Sequence, residues 1–209
     1  MENMKLKKIE RTNLNLEATS LNIPTRTEKM DFKSGLPSEV NLSPQWVTGI
    51  IDSEGNFSVF TAQAIKTKEK PKFSLAFKVT QKEHSKGILI DLQKYFNCGN
   101  IYLDNKKEDA YKFSIHKLED IIERVIPHMD KYPLLTSKYL DYQDFKKVAL
   151  LLKDKLHISK EEDLACKTRE EILSIKNNMN SLRSFEERWN YLKSCEPLIL
   201  NNEWVQAFI

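Results

Sequence analysis

The sequence has few cysteines and no long apolar run. Its three cysteines, at positions 98, 166 and 195, are far apart and show no CxxC spacing. This pattern indicates reduced thiols rather than a disulfide framework or a zinc site. No apolar stretch approaches the ~18 residues that a membrane-spanning helix needs, and the N-terminus lacks the apolar core of a signal peptide. We therefore expect no membrane partner.

A strong net charge is also missing. The formal charge of the 209 residues is +3 and the pI is near 8.6, so any basic surface for a nucleic acid must be local. With 40% hydrophobic residues the chain can bury one sizeable core, which predicts a single domain with tails. Residues 1–40 are polar and mix basic side chains with glutamates, unlike an organelle presequence. We interpret them as a flexible N-terminal arm or leader.

The most informative stretch covers residues 46–55. Its apolar residues recur at helical spacing, which predicts a short helix that begins after Ser43 and ends on Asp52 and Glu54. Gly49 lies among the apolar residues and would let another backbone approach closely. A helix C-terminus disfavours negative charge, so two carboxylates there are unfavourable unless a cation is near. The spacing alone is equally consistent with a core helix that ends on two solvated acids.

This stretch resembles the signature of a known family. Val47 to Gly55, which reads Val-Thr-Gly-Ile-Ile-Asp-Ser-Glu-Gly, is similar to the nine-residue motif of the LAGLIDADG homing endonucleases, with Glu54 in place of the last aspartate. The resemblance extends from about Leu42 to the C-terminus. Three further segments resemble family landmarks in the usual order: Phe77–Gln81, Cys98–Tyr102 and Tyr132–Lys138.

An internal repeat accompanies the motif. Residues 42–51 align with residues 200–209 at an offset of 158 (200 − 42), with leucine, tryptophan, valine and the final isoleucine identical. The second copy stops one residue before its first acid would appear. We interpret the chain as the first half of a two-motif enzyme, cut inside the second motif helix. In this interpretation residues 181–199 are a linker and residues 200–209 begin the second helix.

The segments after the motif predict a mixed fold. Alternating apolar and polar residues predict two hairpins, with strands over 56–66 and 72–81 and over 101–104 and 111–115. Helical spacing predicts helices over 83–95, over 118–125 with an end before Pro127, and over about 137–156 and 159–180. We predict an α/β (α+β) fold for residues 41–180, in the order αββαββα with additional C-terminal helices. Its four-stranded antiparallel sheet has helices on one face and leaves the other open, which is the LAGLIDADG saddle half-domain.

The predicted open face combines lysines with short polar and aromatic side chains. Such a surface suits phosphates and base edges, and a two-stranded ribbon can enter the major groove, although a merely solvated face would have a similar composition. The family resemblance implies that this face lies along double-stranded DNA. The residues assigned to it are Ser58, Phe60, Lys66, Lys72, Ser74, Lys78, Thr80, Asn100, Tyr102, Lys112 and Ser114.

The resemblance also implies the chemistry. In the family two motif helices pack together, and the last acid of each binds Mg²⁺ or another divalent cation between the scissile phosphates. On this basis Glu54 is the catalytic, metal-binding acid and the carbonyl of Ser53 is a second oxygen ligand. Asp52 is a further metal ligand but is ranked below Glu54, because this position more often has a structural role near the helix end. The helix contact is assigned to Trp46, Gly49 and Ile50.

Two further catalytic assignments follow from the resemblance. Gln81 matches a position that orients the water network in relatives, and its alternative role is that of a polar residue at a strand end. Lys138 falls where relatives place a lysine in a basic active-site pocket, where it would stabilise developing charge. The alignment there is loose because Lys131 is close. The four histidines occur singly, so we interpret them as surface or packing residues.

The first functional hypothesis is half of a site-specific DNA endonuclease, encoded in an intron and acting in the mitochondrion. The alternatives are a maturase that binds intron RNA on the same scaffold and a module that binds DNA without cleaving it. Since the second acid would lie beyond the last residue, we expect this polypeptide alone to be a poor nuclease. It would need a second half-domain in cis or in trans, or homodimerisation through Trp46 to Ile51.

Overall fold

The computed structural model describes residues 42–62, 70–195 and 201–208. The predicted N-terminal arm and Lys66 of the predicted open face lie outside these residues. In the described ranges no helix has the length and apolar character needed to cross a bilayer.

Four antiparallel strands form one sheet in the order β1-β2-β4-β3. Consecutive strands pair as two hairpins, and the inner strands β2 and β4 join the hairpins. The strands are β1 (Gly55–Ala62), β2 (Lys72–Lys82), β3 (Asn100–Asn105) and β4 (Ala110–Ile115). The predicted α/β fold, with its four-stranded antiparallel sheet, is confirmed.

Helices pack against one face of this sheet. The repeated motif forms a helix in both copies, and the segment predicted to be a linker also contains a helix. In chain order the helices are α1 (Pro44–Glu54), α2 (Lys86–Phe96), α3 (Leu118–Asp120), α4 (Ile126–Lys131), α5 (Lys138–Lys153), α6 (Glu162–Lys176), α7 (Phe185–Ser194) and α8 (Asn202–Phe208).

The prediction that a helix ends before Pro127 is wrong. A π-helical segment, Ile121–Val125, joins α3 to α4, and the helical path continues through Pro127 to Lys131. Proline lacks a backbone N–H and its ring crowds the carbonyl four residues earlier, which normally ends a helix. Here the wider π turn comes directly before the proline, and Pro127 occupies the first turn of α4, where its missing N–H is tolerated.

The core lies between the sheet and α5. Phe57 of β1 pairs with Phe77 of β2, and their ring centroids are 5.4 Å apart. Phe57 also packs against Tyr142 and Phe145 of α5, at 5.6 and 5.3 Å. All four side chains are completely buried. Since burying one large apolar side chain contributes about 1.5–3 kcal/mol, this aromatic cluster is a major source of stability.

An ion-pair cluster fastens the segment predicted to be a linker to α5. Nε of Arg183 lies 3.0 Å from Oδ1 of Asp141, and both side chains are almost fully buried. The same guanidinium pairs with Asp144 and Glu187. The beginning of this segment is therefore packed against the domain.

A buried histidine links α1 to the helices behind it. Nδ1 of His128 lies 2.9 Å from the hydroxyl of Tyr95, and Nε2 lies 3.3 Å from Oγ1 of Thr48 in α1. Burial disfavours the imidazolium and lowers the pKa of His128 to about 4. The ring is therefore neutral near pH 7, and it can accept from Tyr95 while it donates to Thr48.

The second copy of the repeat docks on the first. A Cβ atom at Gly49 would lie 2.5 Å from the carbonyl oxygen of Trp204 and 2.8 Å from Cβ of Ala207, so α1 and α8 approach more closely than a larger residue would allow. Gly49 and Ala207 occupy equivalent positions of the repeat, and a residue that contacts its own counterpart marks a local two-fold axis. Ile50 is buried and Trp46 is half-buried. Homodimerisation through this face would have to displace α8.

We expect the stability of the fold to decrease as the pH falls from about 6.5 towards 4. His128 titrates near 6.5 in the unfolded chain but at about 4 in the folded one, so acidification protonates the unfolded chain first. The loss should be about 3 kcal/mol. In urea unfolding at several pH values, His128→Gln should flatten this part of the profile, whereas His84→Gln, at an exposed position, should not. An unchanged slope for His128→Gln would contradict the assignment.

The close helix contact predicts a cost for any side chain at Gly49. Gly49→Ala should lower the free energy of unfolding by about 1–3 kcal/mol, because α8 must move away from α1. The matched control is Gly87→Ala in α2, where a Cβ would meet nothing within 4 Å. That change should be neutral or stabilising by up to about 1 kcal/mol. Equal effects of the two changes in urea titrations would show that the contact is looser than described.

Candidate active site and nucleic-acid face

Glu54 is the last residue of α1, and its side chain is exposed. The strand β1 begins at the next residue, Gly55. A Cβ atom there would lie 2.5 Å from the carbonyl oxygen of Ile51, so the missing side chain lets the chain pass directly from helix to strand. Gly55 has an extended backbone (φ −71°), so space rather than a left-handed turn requires glycine here. The junction places Glu54 at one end of the sheet.

Asp52 faces the interior instead of the solvent. Its Oδ2 accepts from the backbone N–H of Leu135 at 2.7 Å and from the indole Nε1–H of Trp204 at 3.1 Å. Its Oδ1 accepts from the hydroxyl and the backbone N–H of Thr136, at 2.7 and 3.4 Å. The side chain is 4% exposed. This geometry contradicts the prediction of Asp52 as a metal ligand, because both oxygens already serve internal hydrogen bonds that connect α1, the loop before α5, and α8.

Lys138 supplies the cation at the C-terminus of α1. Its Nζ lies 3.1 Å from the carbonyl oxygens of both Ile51 and Ser53. Burial lowers the pKa of Lys138, and the carboxylates of Asp52 and Glu54 oppose this shift. The ammonium group thus satisfies two helix-end carbonyls and offsets the unfavourable position of the two acids.

The oxygen donors at and beside Glu54 could supply part of the coordination shell of a hard divalent cation. The carbonyl of Ser53 accepts from Lys138 but keeps a second lone pair, and the carboxylate of Glu54 is free to face solvent. Among the described residues no three His, Cys, Asp or Glu side chains converge on one point. Mg²⁺ commonly takes one or two carboxylates and completes its shell with water and phosphate oxygens. The donors present fit such an open site, with Glu54 as the carboxylate and Ser53 as the carbonyl.

Gln81 lies near the end of β2, opposite Tyr111 of β4. Val79 pairs with Gly55, so Gln81 follows two residues later at the same end of the sheet as Glu54. Side chains two residues apart in a strand share a side, which puts Gln81 on the helix-covered side, where it is half-buried.

The residues predicted for the open face do share one side of the sheet, as far as they are described. Lys78 pairs with Ser114, Thr80 with Lys112, and Phe60 with Ser74. All of these alternate with the buried side chains of the other face. By the same registers this face carries Ser58, Phe60, Lys72, Ser74, Lys78, Thr80, Asn100, Tyr102, Lys112 and Ser114.

Ser114 is nevertheless inaccessible, and its predicted contact with DNA is contradicted. The residue is 1% exposed, and its Oγ lies 2.8 Å from Nε2 of His116. His116 is exposed and continues the alternation of Lys112 and Ser114. Sequence reasoning missed His116 because the histidines were considered singly. The alternation beyond β4 was the signal that could have identified it.

The positive charge of this face is local. Nζ of Lys78 lies 4.6 Å from the ring centroid of Phe60, and burial together with Lys112 lowers the pKa of Lys78. Burial and both lysines lower the pKa of His116. Lys112 forms an ion pair with Asp104 at 2.5 Å. Lys78 and Lys112 therefore place positive charge on the two inner strands of the open face, although the whole chain has a charge of only +3.

Comparisons with known proteins agree with this architecture. A model of the LAGLIDADG endonuclease family matches residues 47–149. The chain is 36% identical over 133 residues to a protein of Schizosaccharomyces pombe named probable intron-encoded endonuclease Cox1-I1b, which covers 63% of this chain and 33% of that protein.

Solved structures of homing endonucleases share the fold. The LAGLIDADG homing endonuclease I-GzeII in complex with its DNA target is 33% identical, with a TM-score of 0.60 over 73% of this chain and 47% of that one. The homing endonuclease I-TnaI is 26% identical, with a TM-score of 0.59 over 73% of this chain and 97% of that one. The chain thus spans about a third of the S. pombe relative and about half of I-GzeII. The motif, the fold and these matches agree: the chain belongs to the LAGLIDADG endonuclease family.

Proposed function

We propose that this chain supplies one half of a site-specific DNA endonuclease that makes a metal-dependent double-strand break. The observation that carries the proposal is the exposed carboxylate of Glu54, which ends the helix on which α8 docks and lies at one end of the open sheet face. A neighbouring structure, I-GzeII, was solved with its DNA target, which supports DNA as the substrate.

Four polar residues near the end of α1 have separate roles in this proposal. Glu54 holds the divalent cation together with the carbonyl of Ser53. The bound cation would supply an activated water and stabilise the leaving oxygen. Lys138 is a positioning residue, because its ammonium group donates to the carbonyl of Ser53 at 3.1 Å. Gln81, at the same end of the sheet, would orient water there.

The open face would bind duplex DNA. Lys72 and Lys78 provide charge for phosphate contacts, which give affinity and set the register on the duplex. Short polar side chains such as Thr80 and Asn100 are of the kind that reads base edges in the major groove. The exposed rings of Phe60 and Tyr102 provide apolar contacts between these polar groups. RNA binding on the same face is the alternative hypothesis.

Cleavage of both strands needs a second acid on the other side of the helix contact. The docking of α8 on α1 supports pairing of the two motifs in cis, because the Gly49 face is already covered. We therefore propose a second LAGLIDADG half-domain as the partner. The name of the S. pombe relative refers to a cox1 intron, which supports an intron-encoded protein that acts in the mitochondrion.

We expect Glu54→Gln to remove the metal-dependent activity and to preserve DNA binding. Duplexes would first be selected from a random pool by the purified chain, then tested for nicking with Mg²⁺ and for affinity with Ca²⁺ or EDTA. Glu54→Gln should slow nicking by about 10²-fold or more and abolish the gain in affinity with Ca²⁺, while affinity in EDTA stays the same. Glu123→Gln, at an exposed position away from this site, should behave like the unmodified chain.

Two results would contradict the proposal. The first is equal nicking and equal Ca²⁺-dependent affinity for Glu54→Gln and the unmodified chain. The second is tighter binding to single-stranded or hairpin RNA than to the selected duplex DNA. Robust double-strand cleavage by the monomeric 209-residue chain would refute the need for a second half-domain.

A further inference from the structure

A tryptophan of the second motif binds a carboxylate of the first. The indole Nε1–H of Trp204 donates to Oδ2 of Asp52 at 3.1 Å, and both side chains are buried, with 6% and 4% exposure. An indole N–H is only a donor and an ionised carboxylate is only an acceptor, so the pair is chemically matched. Because α8 carries Trp204 and α1 carries Asp52, the bond couples the docking of one motif helix to the acidic end of the other.

The local two-fold axis gives this bond a counterpart. Gly49 faces Ala207, its own equivalent in the repeat, and α8 begins at Asn202 as α1 begins at Pro44. A two-fold rotation about this contact exchanges the two helices. It carries Trp204 onto Trp46, and it carries Asp52 onto the position one residue beyond Ile209.

Trp46 is the residue that this rotation makes equivalent to Trp204. It is half-buried beside the core, and its indole N–H makes no hydrogen bond to another residue that the structure describes. In contrast, the equivalent indole of Trp204 is fully engaged. The acceptor that the two-fold axis assigns to Trp46 is a carboxylate carried by the backbone that continues α8, in register with Asp52.

We propose that Trp46 and Trp204 form a reciprocal pair of carboxylate clamps across the contact between α1 and α8. Trp204 holds Asp52, and Trp46 presents its N–H to the corresponding carboxylate of a second motif. The proposal rests on the pairing of two motifs in the proposed function, and it identifies the residue that recognises the second one. Each clamp would hold the last turn of the opposite helix, so that the two exposed acids face the same cleft.

The test extends the full chain at its C-terminus with Asp-Ser-Glu-Gly, a copy of residues 52–55. The matched control carries Ala-Ser-Glu-Gly. The three tryptophans give three indole signals in ¹⁵N–¹H spectra, which Trp46→Phe and Trp189→Phe assign. The Trp46 indole proton should exchange with solvent at least about tenfold more slowly in the chain with the added aspartate than in the control. Trp204 should be protected in both chains, and the exposed Trp189 in neither.

Two outcomes would overturn the inference. One is equal exchange of the Trp46 indole in the two extended chains. The other is rapid exchange of the Trp204 indole in the unmodified chain, because the clamp on Asp52 would then be absent. Neither measurement uses DNA or cleavage, so failure of the clamp and failure of the nuclease proposal are distinguishable.

Discussion

One buried carboxylate fixes how three segments of the chain meet at the end of α1. Asp52 accepts from Leu135 and Thr136 in the loop before α5 and from Trp204 in α8. A buried carboxylate without partners costs several kcal/mol, so the loop and α8 must both be in place when the fold is intact. Asp52, the first acid of the motif, therefore has a structural role. Glu54, the second acid, is the one that faces solvent.

The same junction explains how two acids are tolerated at a helix C-terminus. The helix dipole disfavours both of them, and Lys138 offsets the charge from α5 while it binds the carbonyls of Ile51 and Ser53. Two glycines also help to shape this junction, each in a different way. Gly49 admits α8, and Gly55 lets the chain turn into β1 without a clash with Ile51. The position of Glu54 thus depends on Lys138, which is distant in sequence, and on the two glycines Gly49 and Gly55.

Local periodicity was sufficient to predict the hairpins, most of the helices and the side of the sheet that stays open. These features depend on alternation within one segment, which a sequence displays directly. The errors concern contacts between distant segments. Ser114 has the correct side but is covered by its neighbours, including His116. The helix continues through Pro127 because a π turn absorbs the proline, and no local signal predicts that turn.

The donors to Asp52 were beyond the reach of sequence reasoning for the same reason. Leu135 contributes only its backbone, and Trp204 lies 152 positions away. The family motif indicated both Glu54 and Asp52 as metal ligands. In the structure Asp52 is buried, whereas Glu54 is exposed. The structure therefore adds one main result to the motif: of its two carboxylates, Asp52 is buried and Glu54 is exposed.

The most direct test of this account is the free energy of unfolding of Asp52→Asn, combined with hydrogen exchange of the Leu135 and Thr136 amides. Asparagine keeps the shape but has one acceptor oxygen, and its N–H₂ group would face buried donors. The account predicts a loss of about 3 kcal/mol and faster exchange of both amides, with no such change for Asp163→Asn at an exposed position. Unchanged stability and unchanged exchange for Asp52→Asn would contradict the central role of this carboxylate.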